Sequence, residues 1–408
     1  MTLTAGFFGS DYWTDPLMVG DRERERAAVV AATLPDGLPV WVITRFDDAR
    51  AALDDPRLSK DSAALVKAIQ HQLEAAGYGD RNPSGMFGPH VLFSDPPRHT
   101  RLRKLLMYAF TTKRVKALEP VFRNMTADLV ANLPLHEEVD LISQVAVPLP
   151  LAVICELLGV PADAREPLRP LVDAINLNDP ATAPAASDQL VGFFTDLIEH
   201  KRRKPGDDLV SALIHVDDGQ PDKLADDELL GTLFLLLNAG HDTTANLIGN
   251  TLRALLQDRR YRWRLVHEHP ELIPNVVDEV LRYDSPVRMA THRVVAEPVE
   301  YGGITLLPGE IVLISLHSAN RDPRQFGEHA AQLDLHRDRH DLRHLGFGYG
   351  LHRCLGATLG RMEAEVTIET FARAFPRAVL LDQAELRRRR SPIMNGWDRL
   401  PTLLDVGH

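Results

Sequence analysis

Of the two cysteines in this 408-residue chain, Cys354 is the one set up for chemistry. It ends the stretch Phe347-Gly348-Tyr349-Gly350-Leu351-His352-Arg353-Cys354-Leu355-Gly356. A proline-free run to about Phe375 follows, in which Leu355, Leu359, Met362 and Val366 recur at helical spacing. Gly350 can take backbone angles closed to other residues, so the chain can loop tightly beneath a flat group. Gly356 has no side chain to hold the following helix away from that face. A cysteine at the head of a helix meets free N–H groups and the positive end of the dipole, and both favour the thiolate. Such a thiolate suits haem iron, where it pushes electron density toward bound oxygen and favours O–O cleavage. Inert packing is the commoner role of a free cysteine. Against it, Phe-x-x-Gly-x-x-x-Cys-x-Gly should arise by chance in only about 3 of 10,000 chains of this composition. Cys354 therefore reads as a metal ligand, and Cys155, inside the apolar run Leu149 to Leu158, as core packing.

A second constellation is Ala239-Gly240-His241-Asp242-Thr243-Thr244, small residues followed by an acid and an alcohol. Gly240 and the paired threonines weaken a helix, which predicts a local opening that frees a backbone carbonyl. Asp242 and Thr243 would relay protons through water toward bound oxygen, work that needs a hydroxyl near the oxygen and a carboxylate reaching solvent. A solvated Asp beside back-bonding threonines is the plainer alternative. A third is Glu279-Val280-Leu281-Arg282, whose i, i+3 spacing puts acid and base on one helix face. Alone it reads as a surface pair.

The elements that must position these residues are mostly helices. Asp226 to Gln257 has acids in its first turn and no proline, which predicts a rod of roughly 48 Å crossing the molecule. A further helix is expected from near Glu271. Leu38 to Arg45 alternates as a strand does, and Glu300 to Ser315, broken by Gly302-Gly303 and Pro308-Gly309, reads as hairpin material. Gly77 to Pro97 and Asn178 to Ser187 read as long surface connections of the kind that form lids and binding loops. No linker, repeat or low-complexity tract divides the chain, so residues 1–408 are expected to form one domain, mainly α with small β-sheets. A net charge of −11 argues against nucleic acid as a partner. Met1 to Trp13 has no basic stretch followed by an apolar run, and Leu229 to Leu237 is too short and too polar to span a bilayer, so the chain is expected to be cytoplasmic.

In order and spacing, the three motifs resemble those of the cytochrome P450 haem-thiolate monooxygenases, over essentially the whole chain. The resemblance implies the P450 fold and haem b (iron protoporphyrin IX), with Cys354 as proximal iron ligand, Phe347, Gly348, Gly356 and Ala239 against the haem, and Asp242 with Thr243 as the proton-delivery pair. It implies that Glu279, Arg282 and Arg337 lock the loop ahead of the ligand. It puts His99, Arg103, Arg293 and His352 where the family holds the haem propionates; His99 and Arg103 are one helical turn apart and can point at one carboxylate edge.

The likeness is greatest to the actinobacterial branch that oxidises macrolides and other polyketides, through Ala239 to Asn250 and His344 to Gly356. By position the pocket is expected to include Met86, Phe87, Val91, Leu92, Leu235, Asn238, Ala239, Met289, Ala290, Ile393 and Met394. They are mostly apolar, which suits a large lipophilic substrate with a few oxygens. Asn238 stands where such enzymes commonly have an aliphatic residue. It is expected to hydrogen-bond a substrate oxygen, because an unpaired buried amide costs about 1–3 kcal/mol.

The chain has neither a flavin fingerprint nor iron–sulfur spacing, so O2 chemistry calls for a separate ferredoxin and ferredoxin reductase. The basic residues Arg101, Lys104, Arg353 and Arg361 are expected to dock an acidic ferredoxin, with the enzyme a monomer. The favoured activity is hydroxylation or epoxidation of a natural product, as in antibiotic biosynthesis. Alternatives are a steroid or terpenoid, a fatty acid, a carrier-tethered substrate or aryl coupling and, from another class, a haem sensor without turnover. His336, His340 and His344 recur every fourth residue, but the segment reads as an irregular loop rather than a metal-binding stripe. Arg387 to Arg390 reads as a solvated strand rather than a nucleic-acid site.

Overall fold

The computed structural model describes residues 6–77, 90–177, 182–215, 223–339 and 342–405. Its longest element is the helix Asp226–Leu256, whose 31 residues span about 46 Å. Asp226, Asp227 and Glu228 complement the dipole at its start, and the Glu228 carboxylate accepts the Ala225 N–H at 3.2 Å. Arg98 and Arg101, on the helix Arg98–Ala109, close on the same carboxylate and join the two helices. The long helix packs against Pro148–Leu158, Ile273–Tyr283 and Ala357–Ala374, forming the main apolar core with Trp263 and Phe371 fully buried.

Beside this helical body lies a five-stranded sheet in the order Val29–Thr33, Pro39–Ile43, Ile311–Ser315, Met289–Val295, Leu58–Ser59. The strands are apolar and alternate between two faces, as a period of two requires. Val40, Val42, Ile311 and Leu313 enter one core cluster; Ile43, Val312 and Ile314 enter another. The expected strand at Leu38 to Arg45 is Pro39–Ile43. The expected hairpin at Glu300 to Ser315 divides between two sheets. Val299–Tyr301 and Ile304–Leu306 pair across Gly302 and Gly303, at φ +56° and +80°, while Ile311–Ser315 leaves them for the large sheet. Helix Ala183–Arg203 begins inside the expected connection Asn178 to Ser187. Among the described residues no helix is long and apolar enough to cross a membrane.

Candidate active site

The helix after the cysteine runs over Ala357–Ala374 with Gly356 as its N-cap, so Cys354 stands two residues ahead of the cap. The turn is closed by Cys354 N–H donating to the Phe347 carbonyl at 2.9 Å, with Gly348 and Gly350 at φ +69° and +67°. What Gly350 makes room for is protein: a Cβ there would run into the Asp54 carboxylate. Cys354 is exposed on the wall of a cavity of about 310 Å³, beside Phe347, Gly348 and Gly356. Although the sulfur faces the open cavity, the protein surrounding it shields it from bulk water and pushes its thiol pKa up, and the Gly356 N–H with Arg103, Arg353 and Arg361 offsets only part of this. The helix start alone therefore does not secure the thiolate, as the sequence had suggested; a coordinated metal ion would.

Along the same wall stand His99, Arg103, Arg293 and His352, joined by Lys60. Helix Arg98–Ala109 presents His99 and Arg103 one turn apart, and the His99 and His352 rings lie 4.4 Å apart, edge to face. Arg103 donates to the Arg353 carbonyl at 2.8 Å. Arg293 donates to the carbonyls of Leu53 at 2.9 Å and Leu58 at 3.3 Å. Burial lowers the pKa of Arg293 to about 10, of His99 to about 4 and of His352 to about 2. Both imidazoles are therefore neutral at ordinary pH. Among the described residues neither ring nitrogen of His99, nor the Arg293 Nε, has a hydrogen-bond partner. Among the described residues no carboxylate forms an ion pair with Lys60, Arg103 or Arg293. Three basic side chains, Lys60 and Arg293 buried and Arg103 half-buried, with two imidazoles and unmet donors fit a dianion, and haem with its two propionates and a cysteine ligand is such a group.

The long helix is continuous through Gly240, so the expected opening does not occur. Instead the Thr243 hydroxyl donates to the Ala239 carbonyl at 2.5 Å, the usual way a mid-helix threonine is satisfied. Thr243 lines the cavity; its proton is engaged while its lone pairs remain free to accept. Asp242 is not on the wall. Its Oδ1 accepts from Arg389 at 2.6 Å, with the Asp side chain 12% and the Arg side chain 25% exposed, so its route to solvent passes the guanidinium. Arg389 belongs to the segment read as a solvated strand. That reading stands for Arg387 and Arg390, which are exposed, and is corrected for Arg388 and Arg389, where the chain turns back to bridge Arg388 to Trp397 and is clamped from within. Arg388 pairs with Asp284 at 3.0 Å, and Arg288 donates to the carbonyls of Arg389 and Ser391.

Val91, Leu92, Leu235, Ala239 and Ala290 line the cavity, with Ile154, Leu247 and Val287. Asn238, Met289, Ile393 and Met394 do not. The Asn238 amide donates back to the Phe234 carbonyl at 3.1 Å, leaving its buried Oδ1 unpartnered. Strand alternation turns Met289 into the core with Phe7 and Tyr12, where Ile393 also packs, and Met394 is taken up in a bridge to Val287. Met86 and Phe87 lie outside the described residues.

The sequence family described as Cytochrome P450 matches residues 167–394. Vitamin D(3) 25-hydroxylase of Pseudonocardia autotrophica is 40% identical over 97% of this chain and 96% of its own length. The 6-deoxyerythronolide B hydroxylase of Saccharopolyspora erythraea is 38% identical over 90% of this chain and 91% of its own. The chain belongs to the cytochrome P450 family. It is a monooxygenase whose cofactor is haem b and whose co-substrate is O2, and it takes electrons from a redox partner. The fold agrees: the structure of the tirandamycin C-bound P450 monooxygenase TamI superposes with a TM-score of 0.87 at 37% identity, covering 98% of this chain and 99% of that one.

Around this P450 centre, Glu279 and Arg282 are no surface pair. Both are fully buried and doubly hydrogen-bonded, at 2.7 and 2.8 Å. Arg282 also donates to the carbonyls of Asn320, Ala330 and Gln332, and Glu279 accepts from Asp334 N at 2.9 Å with Arg337 Nε 3.4 Å away. Asn320 then accepts the Leu345 N–H, at the foot of the Cys354 turn. Of the expected basic patch, Arg101 is tied to Glu228 and Arg361 to Asp278, while Lys104 and Arg353 remain exposed. His344 faces Asp278, His336 lies 3.3 Å from the Tyr261 hydroxyl, and His340 falls outside the described residues. Sequence reasoning missed Lys60, Arg389 and Glu363. The last is a cavity-wall acid whose pKa burial raises well above the ordinary value and whose Oε2 is unpartnered. No local pattern marks Lys60 or Glu363, and the basic run that holds Arg389 does not say which of its arginines turns inward.

Proposed function

We propose that residues 1–408 act as one P450 domain that inserts an oxygen atom into a C–H or C=C bond of a bulky, lipophilic polyketide or macrolide. The observation carrying this reading is a single cavity bordered by Cys354, a cationic rim and Thr243, whose remaining wall is mostly apolar, interrupted by Thr244, Thr291, Tyr349 and Glu363. Such a wall holds a large apolar molecule by burial and offers little to a charged one. Haem b, bound through Cys354, would supply the activation of O2.

The protein's own work is then distributed as follows. His99, Arg103, Arg293 and His352 would hold the haem carboxylates, Ala239 would keep the long-helix wall clear of the group, and Phe347 and Gly348 shape the turn that carries Cys354. Val91, Leu92, Leu235 and Ala290 exclude water and orient the substrate. The Thr243 oxygen accepts a hydrogen bond from a water in the cavity and fixes its position. Asp242, held against Arg389, takes protons from solvent and passes them inward through that water. Lys104 and Arg353 are the exposed cations that would meet an acidic ferredoxin, itself served by a reductase, in the cytoplasm with the P450 as a monomer. The identity shared with a vitamin D(3) hydroxylase supports a secosteroid as the second substrate class.

The test is the visible spectrum of the ferric protein titrated with macrolactones, secosteroids and fatty acids. A low-to-high-spin shift confined to macrolactones supports the reading, and one confined to another class replaces it. Absence of a thiolate-ligated haem spectrum would remove it.

A further inference from the structure

Away from its basic rim, the cavity wall has few groups able to meet a polar atom of a bound molecule, and most are already committed. The Thr243 hydroxyl donates to the Ala239 carbonyl, and the Tyr349 hydroxyl is turned to exposed Arg50, from which it accepts at 3.0 Å. Thr244 and Glu363 are buried where the long helix packs on the helix Ala357–Ala374; the Thr244 hydroxyl oxygen lies 3.5 Å from where a Cβ on Gly360 would stand. Asn238, the amide expected to meet a substrate oxygen, is off the wall altogether. That leaves Thr291.

Thr291 reaches the cavity because the strand Met289–Val295 is irregular. Its register shifts between Ala290 and Arg293, and the bulge brings the consecutive residues Ala290 and Thr291 to the cavity together. Val287, Ala290 and Leu316, packed in one apolar cluster, line the same cavity. The Thr291 hydroxyl is oriented by what it accepts: the Nζ of buried Lys60 makes a close hydrogen bond to its oxygen. Burial lowers the Lys60 pKa, Asp95 and the carboxylates of a bound haem oppose this, and an ammonium can only donate. A hydroxyl has one proton and two lone pairs, so its proton is left to point elsewhere. Among the described residues no protein acceptor takes that proton. Accepting from a cation also polarises the O–H bond and strengthens it as a donor.

A free O–H in an apolar wall selects for an acceptor. A carbonyl buried against hydrocarbon alone gives up its hydrogen bonds to water, and one donor at the right place returns them. We propose that Thr291 is a specificity-determining residue whose hydroxyl donates to a carbonyl oxygen of the substrate, so that the cavity favours lipophilic rings bearing a ketone or lactone. This rests on the monooxygenase reading of the cavity. A haem carboxylate could use the same donor, and the experiment separates the two.

Cyclododecanone and cyclododecane are rings of one size, and only the first has an acceptor. Both would be titrated into the ferric holoenzyme and into Thr291→Val and Thr291→Ser, with the spin-state band as readout. We expect Thr291→Val to weaken cyclododecanone about tenfold and to leave cyclododecane within about twofold, with Thr291→Ser close to wild type. In the wild-type complex the isotope-edited infrared C=O stretch of the ketone should lie below its value in hexane. That measurement needs no variant to fold, and an unshifted stretch overturns the proposal. Equal weakening of both rings in Thr291→Val would make Thr291 a packing residue and overturn it too. Faster haem transfer from Thr291→Val to apomyoglobin, with ketone affinity unchanged, would overturn it by assigning the hydroxyl to a haem carboxylate. If neither ring moves the wild-type spectrum, the apolar-cavity reading itself has failed and the proposal falls with it.

Discussion

Glu279→Gln removes one negative charge from a pair that is fully buried and changes almost no volume. The carboxylate accepts from Arg282 Nε at 2.8 Å, Arg282 Nη2 at 2.7 Å and Asp334 N at 2.9 Å. An amide retains an acceptor for two of these donors and turns an N–H toward the third, leaving a guanidinium uncompensated in the core. Breaking a buried pair from one side costs about 3–5 kcal/mol. With an unfolding entropy of roughly 0.9 kcal/mol/K for a chain of this length, the apo-protein Tm should fall by about 4–6 °C. The damage should concentrate in the loop from Asn320 to Asp334, which Arg282 holds by three carbonyls and which leads through Asn320 to Leu345 and the Cys354 turn. Haem should therefore be lost more readily than global stability implies. The assay is thermal melting by circular dichroism together with retention of the thiolate-haem absorption. Glu268→Gln, which removes an exposed i, i+4 pair with Arg264, is the control and should change Tm by about 1 °C or less. A Glu279→Gln protein that melted like this control and kept its haem would refute the idea that the buried pair fastens the ligand loop.

Three further outcomes follow from the site. Thr243→Ala should leave the substrate-induced spectral shift intact while product formed per electron consumed falls about tenfold or more, with peroxide released in its place; an indifferent variant would favour a haem sensor. Arg389→Gln, losing a charge-assisted hydrogen bond of about 1.5–3 kcal/mol to Asp242, should lower coupled turnover about tenfold with little change in substrate affinity, and Arg389→Lys should recover much of it. A matching loss of affinity would instead mean that the whole hairpin has moved. His317 is pushed down to about 3 by burial, against an ordinary value near 6.5. Above pH 6.5 it is neutral in both states; below that the unfolded chain binds the proton first, so stability falls as pH drops from about 6.5 toward 3. Denaturant titrations at pH 7.5, 5.5 and 4.5 should show a slope shallower by up to ~1.4 kcal/mol per pH unit in His317→Gln, and equal slopes would assign the acid sensitivity to other groups.

What this sequence determines by itself are features encoded over a few residues. Phe347 to Gly356 specifies a glycine-bent turn that delivers a cysteine to the head of a helix, because positive φ and helical periodicity are local properties. His99 with Arg103, and Glu279 with Arg282, are legible for the same reason: one helical turn sets their common face whatever lies beyond. The uninterrupted acid-started run from Asp226 likewise announces the long helix. Tertiary structure alone decided what those faces meet. Glu279 and Arg282 look like a surface pair until the loop Asn320 to Asp334 closes over them. Asp242 finds Arg389 and Lys60 finds Thr291 across 147 and 231 positions, through a hairpin and a strand bulge whose geometry no short segment contains. Whether Asn238, Met289, Ile393 and Met394 face the cavity turned on back-bonding, strand parity and hairpin clamping. How far the helix start favours the Cys354 thiolate turned on the desolvating surroundings that oppose it. Local backbone chemistry marks the cysteine and its turn; the environment that tunes them is assembled from residues that become neighbours only when the chain folds.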